Sequence, residues 1–215
     1  MQHQVPLTSL QHSSNLISTG IGEALANRFV EEGCCVIAVG RRQDRLEALV
    51  DKHGKDKVKA VRFDITDLAG IPDFARNIMK SNEDVDCIIM NSGIKRRANF
   101  NNPESIDMAV INEELTVNYL APLALTKAFL PYLQSKNSDS CLMYTTSGLA
   151  MVPVATAPNY CASKAAMHHF ILCLREQLKR THIKVVELIP SAVQTELHGA
   201  KHQLGMPLDQ FTNEV

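Results

Sequence analysis

Short runs of β-branched and apolar residues recur along this chain with longer amphipathic stretches between them, and this alternation restricts the fold more than any other feature. The runs are residues 35–39 (CVIAV), 58–63 (VKAVRF), 87–90 (CIIM), 141–145 (CLMYT) and 184–188 (KVVEL). A strand that is apolar on both faces must be covered on both faces, which is the condition of a parallel sheet. The stretches between have helical spacing: 22–32, 44–53, 71–81, 105–135 with a break expected near Pro122, and 159–180. Strands alternating with helices predict an α/β fold, a doubly wound parallel sheet with helices on both faces. The first strand is uncertain, because residues 5–14 (VPLTSLQHSS) are more polar than a central parallel strand requires.

The connections are short and carry Gly, Pro, Asn and Asp, so residues 1–215 are expected to form a single domain. Residues 1–14 and 198–215 lack strong periodicity and are expected to be mobile ends. Lys plus Arg total 22 against 23 Asp plus Glu, a formal net charge of -1 that provides no basic field for nucleic acid. No apolar run reaches the roughly 20 residues of a membrane helix, and the first ten residues do not read as a signal peptide. Six cysteines without a C-x-x-C pair fit reduced thiols, and the expectation is a cytoplasmic protein with neither membrane nor nucleic acid as partner.

The sharpest chemical feature is Tyr160-Cys-Ala-Ser-Lys164 at the start of the last long helix. Residues four apart share a helix face, and an ammonium beside a phenol favours the phenolate, which makes Tyr160 a candidate proton donor and acceptor. Taken alone, Y-x-x-x-K is a weak signal that two surface residues often satisfy. Ser147 lies 13 positions earlier, just past the run ending at Thr145, where parallel sheets gather ligand-binding groups. Asn118 lies inside the preceding helical stretch, where an inward amide needs partners and a helix kink or cap is the plainer explanation.

With these residues the chain resembles the short-chain dehydrogenase/reductase family, whose Asn, Ser, Tyr, Lys tetrad falls on Asn118, Ser147, Tyr160 and Lys164. The resemblance implies a Rossmann-like fold and hydride transfer between NADP(H) and a small carbonyl compound or secondary alcohol. Tyr160 would be the general acid or base. Lys164 would tune Tyr160 and hold the nicotinamide ribose, Ser147 would polarise the substrate oxygen, and Asn118 would hold a relay water. Residues 190–197 (PSAVQTEL) and 205–208 resemble the DltE-like branch of the family. Subunit pairing through the two long helices, as homodimer or homotetramer, is also implied.

The resemblance further implies cofactor contacts from Asp64 and Ile65 at the adenine, from Asn91 and Gly93 in Asn-Ser-Gly, and from Val193 and Thr195 at the nicotinamide amide. Ser191 replaces the family's glycine in the last of these motifs. Arg41 and Arg42 follow the second strand, where arginine suits a 2'-phosphate and no carboxylate is expected, so NADP(H) is favoured over NAD(H). Two solvated arginines opening a helix would read the same way. Against the family's T-G-x-x-x-G-x-G, only Gly20-Ile21-Gly22 is secure. Either Leu16 replaces the first glycine, or residues 16–19 end the strand and the loop has lost about four residues.

The family also continues to a seventh strand that this sequence does not contain. Two functions therefore stand open: an active NADP-dependent reductase, or a catalytically impaired relative acting as a binding or regulatory protein. His168-His169 cannot form an i,i+4 metal pair, and His198 with His202 lacks a third ligand, so no metal is expected.

Overall fold

The computed structural model describes residues 12–16, 20–136, 138–195, 197 and 205–214, with the backbone alone at 12–16 and 214. The elements are β1 His12–Leu16, α1 Ile21–Glu31, β2 Cys35–Gly40, α2 Gln43–His53, β3 Val58–Arg62, α3 Ile71–Ser81, β4 Cys87–Met90, α4 Met108–Leu115, α5 Ala121–Ser135, β5 Ser140–Thr145, α6 Pro158–Leu178, β6 Ile183–Leu188 and α7 Leu208–Glu214. All six strands run parallel in the order β3-β2-β1-β4-β5-β6, a Rossmann-like doubly wound sheet without a seventh strand among the described residues. The winding reverses between β1 and β4, which opens a crevice at their carboxyl ends.

The strand period of two sorts the core into two layers. Val36, Ala38, Cys87, Ile89, Cys141 and Met143 pack with Leu25, Phe29, Leu46 and Leu49 of α1 and α2 on one face. Ile37, Val39, Ile88, Met90, Leu142 and Tyr144 pack with α3, α5 and α6 through Phe74, Leu125, Phe129, Met167 and Ile171 on the other. Both faces of β4 and β5 are thus covered, which is why their sequences read as unbroken apolar runs.

Three local readings change. The uncertain first strand is His12–Leu16, central in the sheet and registered on both β2 and β4. It ends at Leu16, so that residue is a strand terminus and not a substituted loop glycine; 17–19 lie outside the described residues. Pro122 does not break the long helix. A π turn, Thr116–Leu120, joins α4 to α5 and widens the backbone just ahead of the proline, which lacks an N–H to donate.

Residues 205–214, expected as part of a mobile end, carry a parallel bridge from Met206 to Val193 and then α7. The remainder of both expected mobile ends, 1–11, 198–204 and 215, lies outside the described residues, His198 and His202 included.

Candidate active site

The carboxyl ends of β4 and β5, the loop after β6 and the first turn of α6 surround a cavity of about 680 Å³, within the range of small-ligand sites. Gly20, Ile21, Asn91, Gly93, Ser147, Tyr160, Lys164, Val193 and Thr195 all line it, so nine of the sequence-predicted residues converge. Arg41, Arg42, Asp64, Ile65, Gly22 and Asn118 are not on its wall. Gly22 is buried in α1, and Ile65 belongs to the core.

α6 begins at Pro158, whose missing N–H costs nothing in a first helical turn, and so Tyr160 and Lys164 project from the helix start. Both are buried, at 4% and 3% exposure. Lys164 Nζ lies 5.8 Å from the Tyr160 ring centroid and donates to the Thr145 carbonyl oxygen at 2.9 Å. Burial pushes the Tyr160 phenol up to about 12, against a hydrogen bond with Ser147 that lowers it. Burial likewise brings Lys164 down to about 8. Desolvation dominates both groups, and Lys164 directs its proton at a backbone oxygen.

Asn118 occupies the π turn, buried at 1% exposure. Its Oδ1 accepts from Ile94 N at 2.9 Å, while Nδ2 donates to Ile94 O at 2.9 Å and to Ser163 Oγ at 3.0 Å. This amide fastens the loop segment following Gly93 to α6, with Nδ2 donating to both. Glu114, also fully buried, accepts from Arg96 N at 2.9 Å and from Asn159 Nδ2 at 2.7 Å. Asn159 adjoins Tyr160, so two buried side chains tie residues 94 and 96 to α6.

A second network lies under Ser147. Thr146 Oγ1 donates to Glu187 Oε1 at 2.7 Å, and His168 Nδ1 meets the two oxygens of Glu187 at 2.9 and 3.0 Å. His168 stands one turn beyond Lys164, so consecutive residues of the β5 exit are tied to consecutive turns of α6. Ser191 adopts no positive φ and carries no backbone strain in the glycine's place.

Away from the cavity, Arg41 and Asp64 correct the expectation that no carboxylate stands near the end of β2: they approach to 3.9 Å. Burial alone would raise Asp64, yet bonds from Thr66 N and Oγ1, with Arg41 nearby, hold its carboxyl below the ordinary value.

A bound nicotinamide dinucleotide fits this wall on two observations. Asn91 Oδ1 and Thr145 Oγ1 are buried on the cavity surface without hydrogen-bond partners among the described residues, and buried polar atoms rarely stay so. Gly93 offers bare backbone, where a Cβ would stand 3.4 Å from Lys164 Nζ.

The short chain dehydrogenase family model matches residues 17–204, which include the tetrad and the cavity wall. The chain belongs to the short-chain dehydrogenase family. It is 34% identical over 181 residues to the uncharacterized oxidoreductase DltE of Bacillus subtilis, covering 84% of this chain and 70% of that protein, which places it on the DltE-like branch. It is 32% identical to a dehydrogenase/reductase SDR family protein 7-like of Drosophila melanogaster over 84% of this chain, but spans 56% of that longer protein. Two solved structures share the fold. One is an alcohol dehydrogenase from Thermococcus sibiricus complexed with 5-hydroxy-NADP, with TM-score 0.84 and 22% identity, covering 95% of this chain and 88% of that one. The other is a closed serine dehydrogenase complexed with NADP+, with TM-score 0.85 and 23% identity, covering 95% and 87%.

Sequence reasoning missed Thr146, Glu114 and Glu187. Glu114 follows Asn112 and Glu113 in α4, and Glu187 shares β6 with Lys184, so neither acid stands out in the sequence. No helix among the described residues is long and apolar enough to cross a membrane, and no metal-binding cluster occurs among them.

Proposed function

We propose that this chain reduces a carbonyl compound, or oxidises the corresponding secondary alcohol, with NADP(H). The observation that carries the reading is the pairing of the Tyr160 phenol with Ser147 on the cavity wall, with Lys164 held beside them by the Thr145 carbonyl. Bound NADPH would supply the hydride. In reduction, the Ser147 hydroxyl orients the substrate oxygen, the carbonyl π pair moves to that oxygen, and Tyr160 completes the alcohol with its proton. A phenol raised to about 12 by burial is a neutral donor at neutral pH, and the phenolate left behind is stabilised by the neighbouring Lys164 ammonium. Asn118 acts by position, holding Ile94 and the adjoining Gly93 backbone where the dinucleotide must approach.

The test is titration with NADPH followed by turnover of aldehydes. Saturable binding is expected, and Tyr160→Phe should lower kcat by about 10²–10⁴ while cofactor affinity stays within twofold. Equal turnover by the variant would remove Tyr160 from the proton transfer.

Preference for NADP(H) rests on Arg41 and Arg42 at the exit of β2, with Asp64 near enough to compete for the first of them. Arg41→Ala should weaken NADPH at least tenfold more than NADH, measured by cofactor fluorescence, and equal losses would remove the 2'-phosphate argument.

One observation favours the non-catalytic reading. Gly20, with φ of 62°, lies so close to the opposite wall that a Cβ would stand 3.0 Å from Thr195 Cγ2. Absence of NADPH binding up to millimolar concentration would select that reading.

A further inference from the structure

We propose that Glu114 is a positioning residue for Tyr160. Joined to Asn159 and to the backbone of Arg96, it sets the first turn of α6 against the loop after β4, where the phenol can reach a substrate oxygen. This rests on the reductase reading of the same site.

Glu114 and Asn118 stand four residues apart on the run formed by α4 and the π turn. Their partners on α6, Asn159 and Ser163, also stand four apart, and their partners on the loop, Arg96 and Ile94, stand two apart. A spacing of four on a helix means adjacent turns of one face. The two side chains are therefore parallel rungs between the loop and α6. Tyr160 lies between them: Asn159 precedes it, and Ser163 Oγ donates to its carbonyl oxygen at 2.8 Å. Lys164 follows the second rung directly. The family resemblance supplies a role for Asn118 and none for Glu114.

The Glu114 rung is held at both of its oxygens. Asn159 Nδ2 donates to Oε2 at 2.7 Å and also to the Ile111 carbonyl oxygen at 3.3 Å, so this amide meets α4 at two points. Arg96 N donates to Oε1 at 2.9 Å. A carboxylate fully buried is costly unless its oxygens are hydrogen-bonded, and no ion pair reaches Glu114 among the described residues. Displacing either neutral donor would leave that charge short of a partner, which makes the rung stiff.

The carboxylate also lies within electrostatic reach of the phenol. Burial is the chief reason that Tyr160 holds its proton, and the charges of Cys161 and then Glu114 act in the same direction. A proton donor must sit about 3 Å from its acceptor, and a misplacement of about 1 Å can cost about 10²-fold in rate. Glu114 is not on the cavity wall, so its loss should slow proton transfer and leave ligand affinity in place.

The test uses the full chain in the NADPH-dependent aldehyde assay, well below the melting temperature of each variant. Glu114→Leu removes both acceptors, and kcat should fall at least thirtyfold while KM and NADPH affinity stay within threefold. Glu114→Gln keeps an acceptor for Arg96 N and can donate to Asn159 Oδ1 once that amide turns over, so kcat should stay within fivefold of wild type. Asn159→Asp sets two carboxylates face to face and should lose at least tenfold in kcat. Adding Glu114→Gln to it restores a donor between them and should recover most of that loss. A readout without turnover is alkylation of Cys161, the buried neighbour of Tyr160, compared with Cys141, buried in β5. Glu114→Leu should speed labelling of Cys161 at least tenfold and of Cys141 less than twofold.

An unchanged kcat in Glu114→Leu or Asn159→Asp, no recovery in the double variant, or a fall in kcat matched by an equal loss of NADPH affinity would overturn the positioning role. Equal acceleration at both cysteines would overturn it as well, by showing a general loosening of the core. If the wild type reduces no aldehyde, the reductase reading fails, and the anchoring of this turn stands or falls on the cysteine labelling alone.

Discussion

Lys164 concentrates the electrostatics of the site in one residue. Its folded-state value of about 8 lies below the ordinary 10.5 because burial disfavours the ammonium. The sign of the pH effect follows from linkage. Below about pH 8 folded and unfolded chains both carry the proton, and the folded chain bears the full cost of burying it. Between about 8 and 10.5 the folded chain releases the proton first, so stability should rise with pH, by up to about 3 kcal/mol. Tyr160 acts oppositely at higher pH: raised to about 12, it keeps its proton after the unfolded chain has lost it, and stability falls between about 10 and 12. Chemical denaturation from pH 7.5 to 10.5 should show the rise in the wild type and a flatter profile in Lys164→Met. Parallel profiles would mean that the lysine is solvated.

At the scale of elements, the spacing between the β5 exit and α6 governs whether Ser147 faces Tyr160. Two ties set it, Lys164 to the Thr145 carbonyl and His168 to Thr146 through Glu187. The Glu187 side chain is 2% exposed, so Glu187→Ala strands two polar partners and should destabilise by about 3–5 kcal/mol, lowering the melting temperature by roughly 10 °C. Glu187→Gln, which keeps an acceptor for Thr146, should recover at least half of that loss, and a melting temperature unchanged by the alanine would show that the tie carries no load. None of this was legible in Lys-Val-Val-Glu-Leu, because sequence does not reveal which partner a strand acid will meet. What could be read was whatever two-sided burial dictates: β4 is one unbroken apolar run, and its ends match the expectation. The strand His-Ser-Ser-Asn-Leu gave no such signal, since its place is assigned by backbone pairing to β2 and β4. α7 is a seven-residue polar helix, too short for periodicity to register.

For the molecule as a whole, the question is how the two halves of the sheet are joined across the crevice. Gly20 leads from the β1 side into α1, and Thr195 belongs to the segment after β6. The tail fastens that segment: Met206 N donates to Ala192 O at 2.8 Å and Gln194 N to Met206 O at 3.0 Å, after which α7 packs on α1. The tie depends on Gly205, whose φ is 107° and where a Cβ would lie 2.1 Å from the Ala192 carbonyl oxygen. On the reading proposed above, a dinucleotide bound in the crevice would lie against the wall that Gly20 and Thr195 share, and the tail fastens one side of that wall, so cofactor and tail would act on the same joint. At one hundred times its Kd, NADPH should add about 2.7 kcal/mol of stability and raise the melting temperature by roughly 5–10 °C. Gly205→Ala should detach the tail from residues 192–194 and reduce that rise to less than half at the same NADPH concentration. A wild-type melting curve indifferent to NADPH would show the joint closed to the cofactor and leave the fold to act through binding alone. An equal rise in Gly205→Ala would show instead that the tail plays no part in holding the site.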